Sequence, residues 1–177
     1  MALLDEGVQT VTELSREALL RARSERYGES KELEREVLYE VVTFRRGDSR
    51  YGLKLTDLRE IRPLPPFCRL PFASHVVPGV VHYRGELLSL HDLAAFTEGK
   101  TRAALPAFLL VTEHKGKRIG LMADDVLEVV DVEAENVQSP PVTLGDASDI
   151  LIHMTVDGVL IVDAARMFET PRFLRAF

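Results

Sequence analysis

Five histidines, His75, His82, His91, His114 and His153, are the side chains best suited to hold a metal, yet no two stand at the His-x-x-x-His spacing that sets two imidazoles on one helix face. The single Cys68 cannot close an internal disulfide and is too few for a Cys-built zinc site, so a reducing compartment is its simplest home. No Ser, Cys or Thr stands in a nucleophile setting, and the glycines are isolated turn positions rather than a phosphate-cradling loop. No catalytic residue, no metal and no cofactor are expected. What remains is the chemistry of recognition. Arg84 precedes Gly85 at the end of an apolar strand, where a fixed guanidinium can make bidentate contacts to a carboxylate or to backbone carbonyls. Glu60, on the strand before a Pro-rich loop, is its candidate partner. The bland alternatives are a solvated hairpin charge and a plain surface carboxylate.

Charge is shared unevenly along the chain. Between Thr43 and Pro71 seven basic residues face three acidic ones, whereas Asp124 to Asp149 holds eight acidic residues and no Lys or Arg. Such runs are commonly solvated faces. The functional reading is that complementary ends favour head-to-tail contact, with Asp131 and Glu133 in the acidic end. The formal net charge of -6 argues against a general nucleic-acid binder, which needs a basic surface to neutralise phosphates.

The elements that must position these residues follow from the apolar pattern. Residues 1–37 are rich in Glu, Arg, Leu and Ala, with Val11, Leu14, Ala18, Leu19 and Ala22 at helical spacing, and predict an amphipathic helix as an N-terminal extension. From Leu38 the grammar changes to short β-branched and apolar runs bounded by Gly, Asp, Ser and Pro, which predict a mainly β domain over 38–177. Strands are expected at Leu38–Arg46 and Arg50–Leu55, with Leu58–Pro63 extending the same sheet; Pro63–Pro71 is a loop or edge, because it lacks amide donors. Pro78-Gly79 opens a strand that turns at Arg84-Gly85 and returns through Leu87–Leu90, and Asp92–Phe96 reads as one helical turn.

This pattern occurs twice. Tyr51-Gly52-Leu53 through Ile61 reads against Ile119-Gly120-Leu121 through Val129, an offset of 68 residues, and the strand ending at His91-Asp92 reads against the one ending at Val162-Asp163. Two similar units of about five strands each are implied, near 38–100 and 107–168, each small enough for a closed barrel with few free edges. Leu58 and Val126 occupy equivalent places in the two repeats.

On Tyr51-Gly52-Leu53, Leu58-Arg59-Glu60-Ile61, Pro78-Gly79-Val80-Val81-His82-Tyr83-Arg84-Gly85, Leu90-His91-Asp92-Leu93 and the Gly120–Val129 strand, the sequence resembles the CheW family of chemotaxis coupling proteins over about residues 38–168. The resemblance implies two intertwined SH3-like five-stranded barrels, with strand exchange between units and a hydrophobic groove between them. It also implies a non-catalytic adaptor. The implied partners are the cytoplasmic tips of methyl-accepting chemoreceptors and the regulatory domain of a CheA-type histidine kinase, with ring or array assembly. Arg84, Glu60, Leu58, Gly79 and Val126 are the residues expected at the receptor site or groove, with Glu60 a candidate to pair with Arg84 across that groove, and Asp131 and Glu133 are expected at a kinase or array interface. A cytoplasmic protein without direct membrane insertion is expected, since no stretch of the sequence reaches the ~20 apolar residues of a bilayer span. The alternative reading is a small-barrel peptide- or nucleic-acid-binding protein outside chemosensory signalling, supported only by the basic first unit.

Overall fold

The computed structural model describes residues 36–99 and 105–176. The helix expected in the N-terminal extension and residues 100–104 of the linker lie outside the described residues; Val37 already opens the first strand. Val37–Phe177 clusters as one compact unit. In chain order its strands are β1 Val37–Arg46, β2 Ser49–Lys54, β3 Leu58–Pro63, β4 Cys68–Arg69, β5 Gly79–Tyr83, β6 Glu86–His91, β7 Phe108–His114, β8 Lys117–Ala123, β9 Asp125–Glu133, β10 Val137–Gln138, β11 Leu151–Thr155 and β12 Val159–Val162.

They form two six-stranded sheets, ordered β10-β11-β12-β2-β1-β9 and β3-β7-β8-β6-β5-β4. Each is five strands plus one two-residue edge strand, the SH3-like count. Written from the short strand, the second order is β4-β5-β6-β8-β7-β3, so the two sheets match strand for strand across the repeat. Each contains a single parallel pair, β12 with β2 and β6 with β8, in which Ile161 lies opposite Gly52 and Leu90 opposite Gly120. The first barrel therefore takes β1 and β2 from one repeat and β9–β12 from the other, and the second barrel takes the complement. This corrects two expectations, the first being the Gly120–Val129 strand, which is divided at Asp124 into parts of β8 and β9 that lie in different sheets. Leu58–Pro63 does not extend the sheet of β1 and β2 but crosses to the other sheet and pairs with β7, because that sheet offers Leu109 to Val111 as an apolar antiparallel partner.

The central strands β1, β2, β7, β8 and β12 hold consecutive buried residues and so are apolar on both faces, which is why the exchange is stable. Alternate residues point into a barrel or into the layer between barrels. Val41, Val132, Val159 and Ile161 fill the first barrel, and Val81, Leu88, Leu90, Leu109, Val111 and Met122 fill the second. Their neighbours Val42, Leu110, Leu121, Leu160 and Val162 build a third core that both sheets share. The repeated glycines keep the parallel pairs close: a Cβ on Gly52 would stand 2.7 Å from Ile161 Cδ1, and one on Gly120 would stand 3.1 Å from Leu90 Cδ2. The repeated aspartates are helix caps. Asp92 Oδ1 accepts from the backbone N–H of Ala94 and Ala95 ahead of helix Leu93–Glu98, and Asp163 Oδ1 accepts from Arg166 N ahead of helix Ala164–Glu169.

The charge runs read differently once folded. Arg46 is 2% exposed, and its guanidinium donates to Asp92 Oδ2 at 2.5 Å and to Asp124 Oδ1 at 2.6 Å. Burial lowers its pKa, but the two carboxylates outweigh that and raise it. Lys54 pairs with Asp163, Arg59 with Glu113 and Arg62 with Glu60. Four of the seven basic residues between Thr43 and Pro71 are thus engaged with carboxylates of their own chain. That removes much of the basic surface which supported nucleic-acid binding.

Candidate interaction site

The β5–β6 hairpin turns on Arg84 and Gly85, at φ of 48° and 86°. Two successive positive φ values are what a two-residue turn between twisted strands requires. That conformation aims Arg84 outward, with its side chain 71% exposed. Alternation along β5 buries Val81 and Tyr83 inside the second barrel, and a buried phenol must find a partner for its hydroxyl. Tyr83 donates to Glu60 Oε2 at 2.7 Å. Arg84 Nη2 reaches the same oxygen at 2.8 Å, and its guanidinium lies 5.4 Å from the Tyr83 ring centre. Glu60, only 11% exposed, is reached at 3.8 Å by Arg62 from its own strand. Tyr83 is pushed above its ordinary pKa by burial and by Glu60. It stays a donor at neutral pH.

Arg84 and Glu60 do pair, but within the second barrel, between strands at opposite sides of one curled sheet, and not across the groove between barrels as expected. Glu60 and Tyr83 fix the guanidinium from one side while the rest of it faces solvent, an arrangement suited to a partner's carboxylate or carbonyl. Tyr83 and Arg62 are members that the sequence reading missed. The signal for Tyr83 was its place on the inward face just before the Arg-Gly turn.

The other expected residues lie elsewhere. Leu58 opens β3 opposite Thr112, separated from Glu60 by a bulge, and Val126 lies on β9 opposite Phe44. Both are half-buried against the core shared by the two barrels. Gly79 is buried under β4: a Cβ there would stand 2.4 Å from the backbone oxygen of Cys68, so its role in the fold is close packing of the edge strand. Asp131 and Glu133 lie at the far end of β9, in the other sheet. There they rim a cavity of about 230 Å³ floored by Val41, Val132, Val159 and Ile161. Glu128 and Asp157 also line it, as does Arg50, which donates to the Asp157 carbonyl. Glu133 accepts from Asn136 Nδ2 at 2.7 Å.

Among the described residues no group of three or more His, Cys, Asp or Glu side chains stands together as a metal site, and no helix is long and apolar enough to cross a membrane. His91 is buried between Ser89 Oγ and the Phe173 carbonyl and stacks on the Phe173 ring at 4.8 Å. Burial lowers its pKa to about 4, against the opposing pull of that carbonyl.

Comparison with known proteins agrees with this architecture. The sequence is 29% identical over 125 residues to a probable chemotaxis protein CheW of Rhizobium etli, covering 70% of this chain and 78% of that one. It is 30% identical over 139 residues to protein FrzA of Myxococcus xanthus, covering 75% and 87%. The fold superposes on the crystal structure of the scaffolding protein TtCheW from Thermoanaerobacter tengcongensis with a TM-score of 0.63, at 21% identity, over 81% of this chain and 96% of that one. The CheW-like domain matches residues 40–172. With the exchanged barrels and three quarters of its length inside that match, this chain belongs to the CheW-like domain family.

Proposed function

We propose that the chain is a non-catalytic adaptor that couples the cytoplasmic tip of a chemoreceptor to the regulatory domain of a CheA-type histidine kinase, in the cytoplasm. The observation that carries this reading is the Arg84 guanidinium, held over Tyr83 by Glu60 and exposed at a hairpin tip. A side chain fixed in this way loses little rotamer freedom on binding, so a partner's carboxylate or carbonyl gains most of the contact energy. The names of the relatives, chemotaxis proteins and a scaffolding protein, support the same class. Leu58 and Val126, half-buried at the border of the shared core, are the apolar part of the receptor surface in this reading. Binding and population shift are the whole mechanism: the adaptor transmits receptor state only by holding both partners.

The test is Arg84→Ala and Arg84→Glu in titrations with a soluble receptor-tip fragment. Both variants are expected to fold, because an exposed ion pair contributes at most about 1 kcal/mol. Circular dichroism checks this. Arg84→Ala is expected to weaken binding by roughly 10-fold and Arg84→Glu by more, since it adds repulsion at the interface. Unchanged affinity in both folded variants would remove Arg84 from the receptor site.

A further inference from the structure

The outer face of the β5–β6 hairpin is covered at one end and open at the other. Residues opposite each other in an antiparallel pair share a face, so His82 and Leu87 stand side by side, as do Val80 and Ser89. Along β6 the same face continues through Leu87, Ser89 and His91. Phe173 covers it only at His91, whose imidazole reaches Ser89 Oγ at 2.9 Å. Beyond that contact the cover ends. Ser89 is half-buried, while His82 is exposed and Leu87 is 72% exposed. An aliphatic side chain so open to water, beside the turn that carries Arg84, adds nothing to the barrel interior, which Val81 and Leu88 fill from the opposite face.

Among the described residues, the ion pairs near this tip are one carboxylate short. Arg59, Glu113, Arg118 and Glu86 form a linked set in which two arginines meet two glutamates. Glu60, by contrast, answers two guanidiniums, Arg84 at 2.8 Å and Arg62 at 3.8 Å, and the buried Nε of Arg62 has no partner. No Asp or Glu occurs from Ile61 to Gly85. The set that lacks a carboxylate is the one that meets solvent at Arg84. That selects an acidic side chain, rather than a neutral carbonyl, as the incoming group.

Tip and face are close enough to be read together. Leu87 lies opposite His82, two residues before Arg84, and two residues of strand span about 7 Å. Side chains three or four apart on a helix are spaced by about 5–6 Å. A partner lying on the flat of a sheet gains no backbone hydrogen bonds from it, so it must satisfy its own, as a helix does. We propose that a helix of the receptor tip reads this hairpin, setting an Asp or Glu on Arg84 and, three or four residues along, an aliphatic side chain on Leu87. Leu87 then sets specificity: Arg84 alone binds any accessible carboxylate, whereas the pair binds only a carboxylate with an apolar neighbour at that spacing. This rests on the adaptor reading and names the chemistry of its partner.

The experiment is a titration of the full chain with a soluble receptor-tip fragment, with the kinase regulatory domain titrated in parallel. Leu87→Gln is expected to fold, because the side chain is exposed, and circular dichroism checks this. It is expected to weaken fragment binding by about 10-fold, the scale of one buried aliphatic side chain, and to leave binding of the kinase domain unchanged. Leu87→Met, which keeps the apolar contact, is expected to bind the fragment as wild type does. In the fragment, each Asp and Glu is replaced in turn by Asn or Gln. One such change is expected to cost affinity for wild type but nothing further for Arg84→Ala. An aliphatic side chain three or four residues from it, cut to Ala, is expected to cost nothing further for Leu87→Gln. Unchanged fragment affinity in folded Leu87→Gln would overturn the proposal and leave the adaptor reading standing. Equal losses for fragment and kinase domain, or no acidic position coupled to Arg84, would do the same. A wild type that does not bind the fragment at all is a separate result, which removes the adaptor reading and this proposal with it.

Discussion

At the residue scale, the buried imidazole of His91 ties stability to pH. Its folded-state pKa is about 4 against an ordinary 6.5, so between those values the unfolded chain binds a proton that the folded chain refuses. Stability from this residue is complete above pH 6.5, falls as pH drops below that value and levels off below about 4. The loss is of the order of 3 kcal/mol. Urea unfolding between pH 7 and pH 4 is expected to show it, with the slope reduced in His91→Asn even though that variant is less stable at pH 7. A slope unchanged in that variant would place the titration on other groups; half-buried Asp57, raised by burial, is not one of them, because the folded chain takes up its proton first and gains stability as pH falls.

At the element scale, the buried clasp of Arg46 with Asp92 and Asp124 joins three elements: the end of β1, the cap of helix Leu93–Glu98 and the crossover from β8 to β9. Gly47 N–H donates to Asp124 Oδ2 at 2.7 Å and Asp124 N–H to the Arg45 carbonyl at 2.8 Å, so backbone and side chains close the same corner. Removing one member of a buried ion pair leaves an uncompensated charge. Arg46→Leu is therefore expected to cost about 3 kcal/mol. Adding Asp92→Asn should recover part of this loss, because Asn caps a helix as well as Asp and carries no charge to strand. Denaturant titration of the two single variants and the double gives the coupling. Strict additivity would mean that Arg46 acts through packing alone.

At the scale of the whole molecule, strand exchange makes the two repeats inseparable. A chain divided between residues 99 and 105 leaves β1–β6 on one piece and β7–β12 on the other, and each piece then lacks strands of both barrels. Neither is expected to fold alone, since each would expose the shared core and unpaired strand edges. Mixed, the two pieces are expected to restore the β-sheet circular dichroism of the intact chain. A piece that folds alone would show that its strands can close a barrel without exchange. By contrast, the chain starting at Leu38 is expected to fold. The described elements draw their cores from Val41 onward with Tyr39 packed alongside, and a collapsed thermal midpoint in that truncation would make the extension part of the fold.

The sequence alone determined most strands of the first repeat, their turns and the duplication, because these are written in local terms: short apolar runs, Gly and Pro punctuation, and an Asp before each short helix; β7 and β11 of the second repeat went unread. It offered Glu60 as a candidate partner for Arg84, with a solvated hairpin charge and a plain surface carboxylate equally open, and only the folded chain brings the two side chains to 2.8 Å. Which sheet each strand joins was decided only by the tertiary structure. β3 is apolar enough for either sheet, and its choice depends on what β7 offers more than forty residues later. The fate of Arg46 was equally hidden, since a basic residue beside a turn reads as surface until Asp92 and Asp124 arrive from distant crossovers. The hole beside β9 has no sequence signal at all, because a cavity consists of what its neighbours fail to fill.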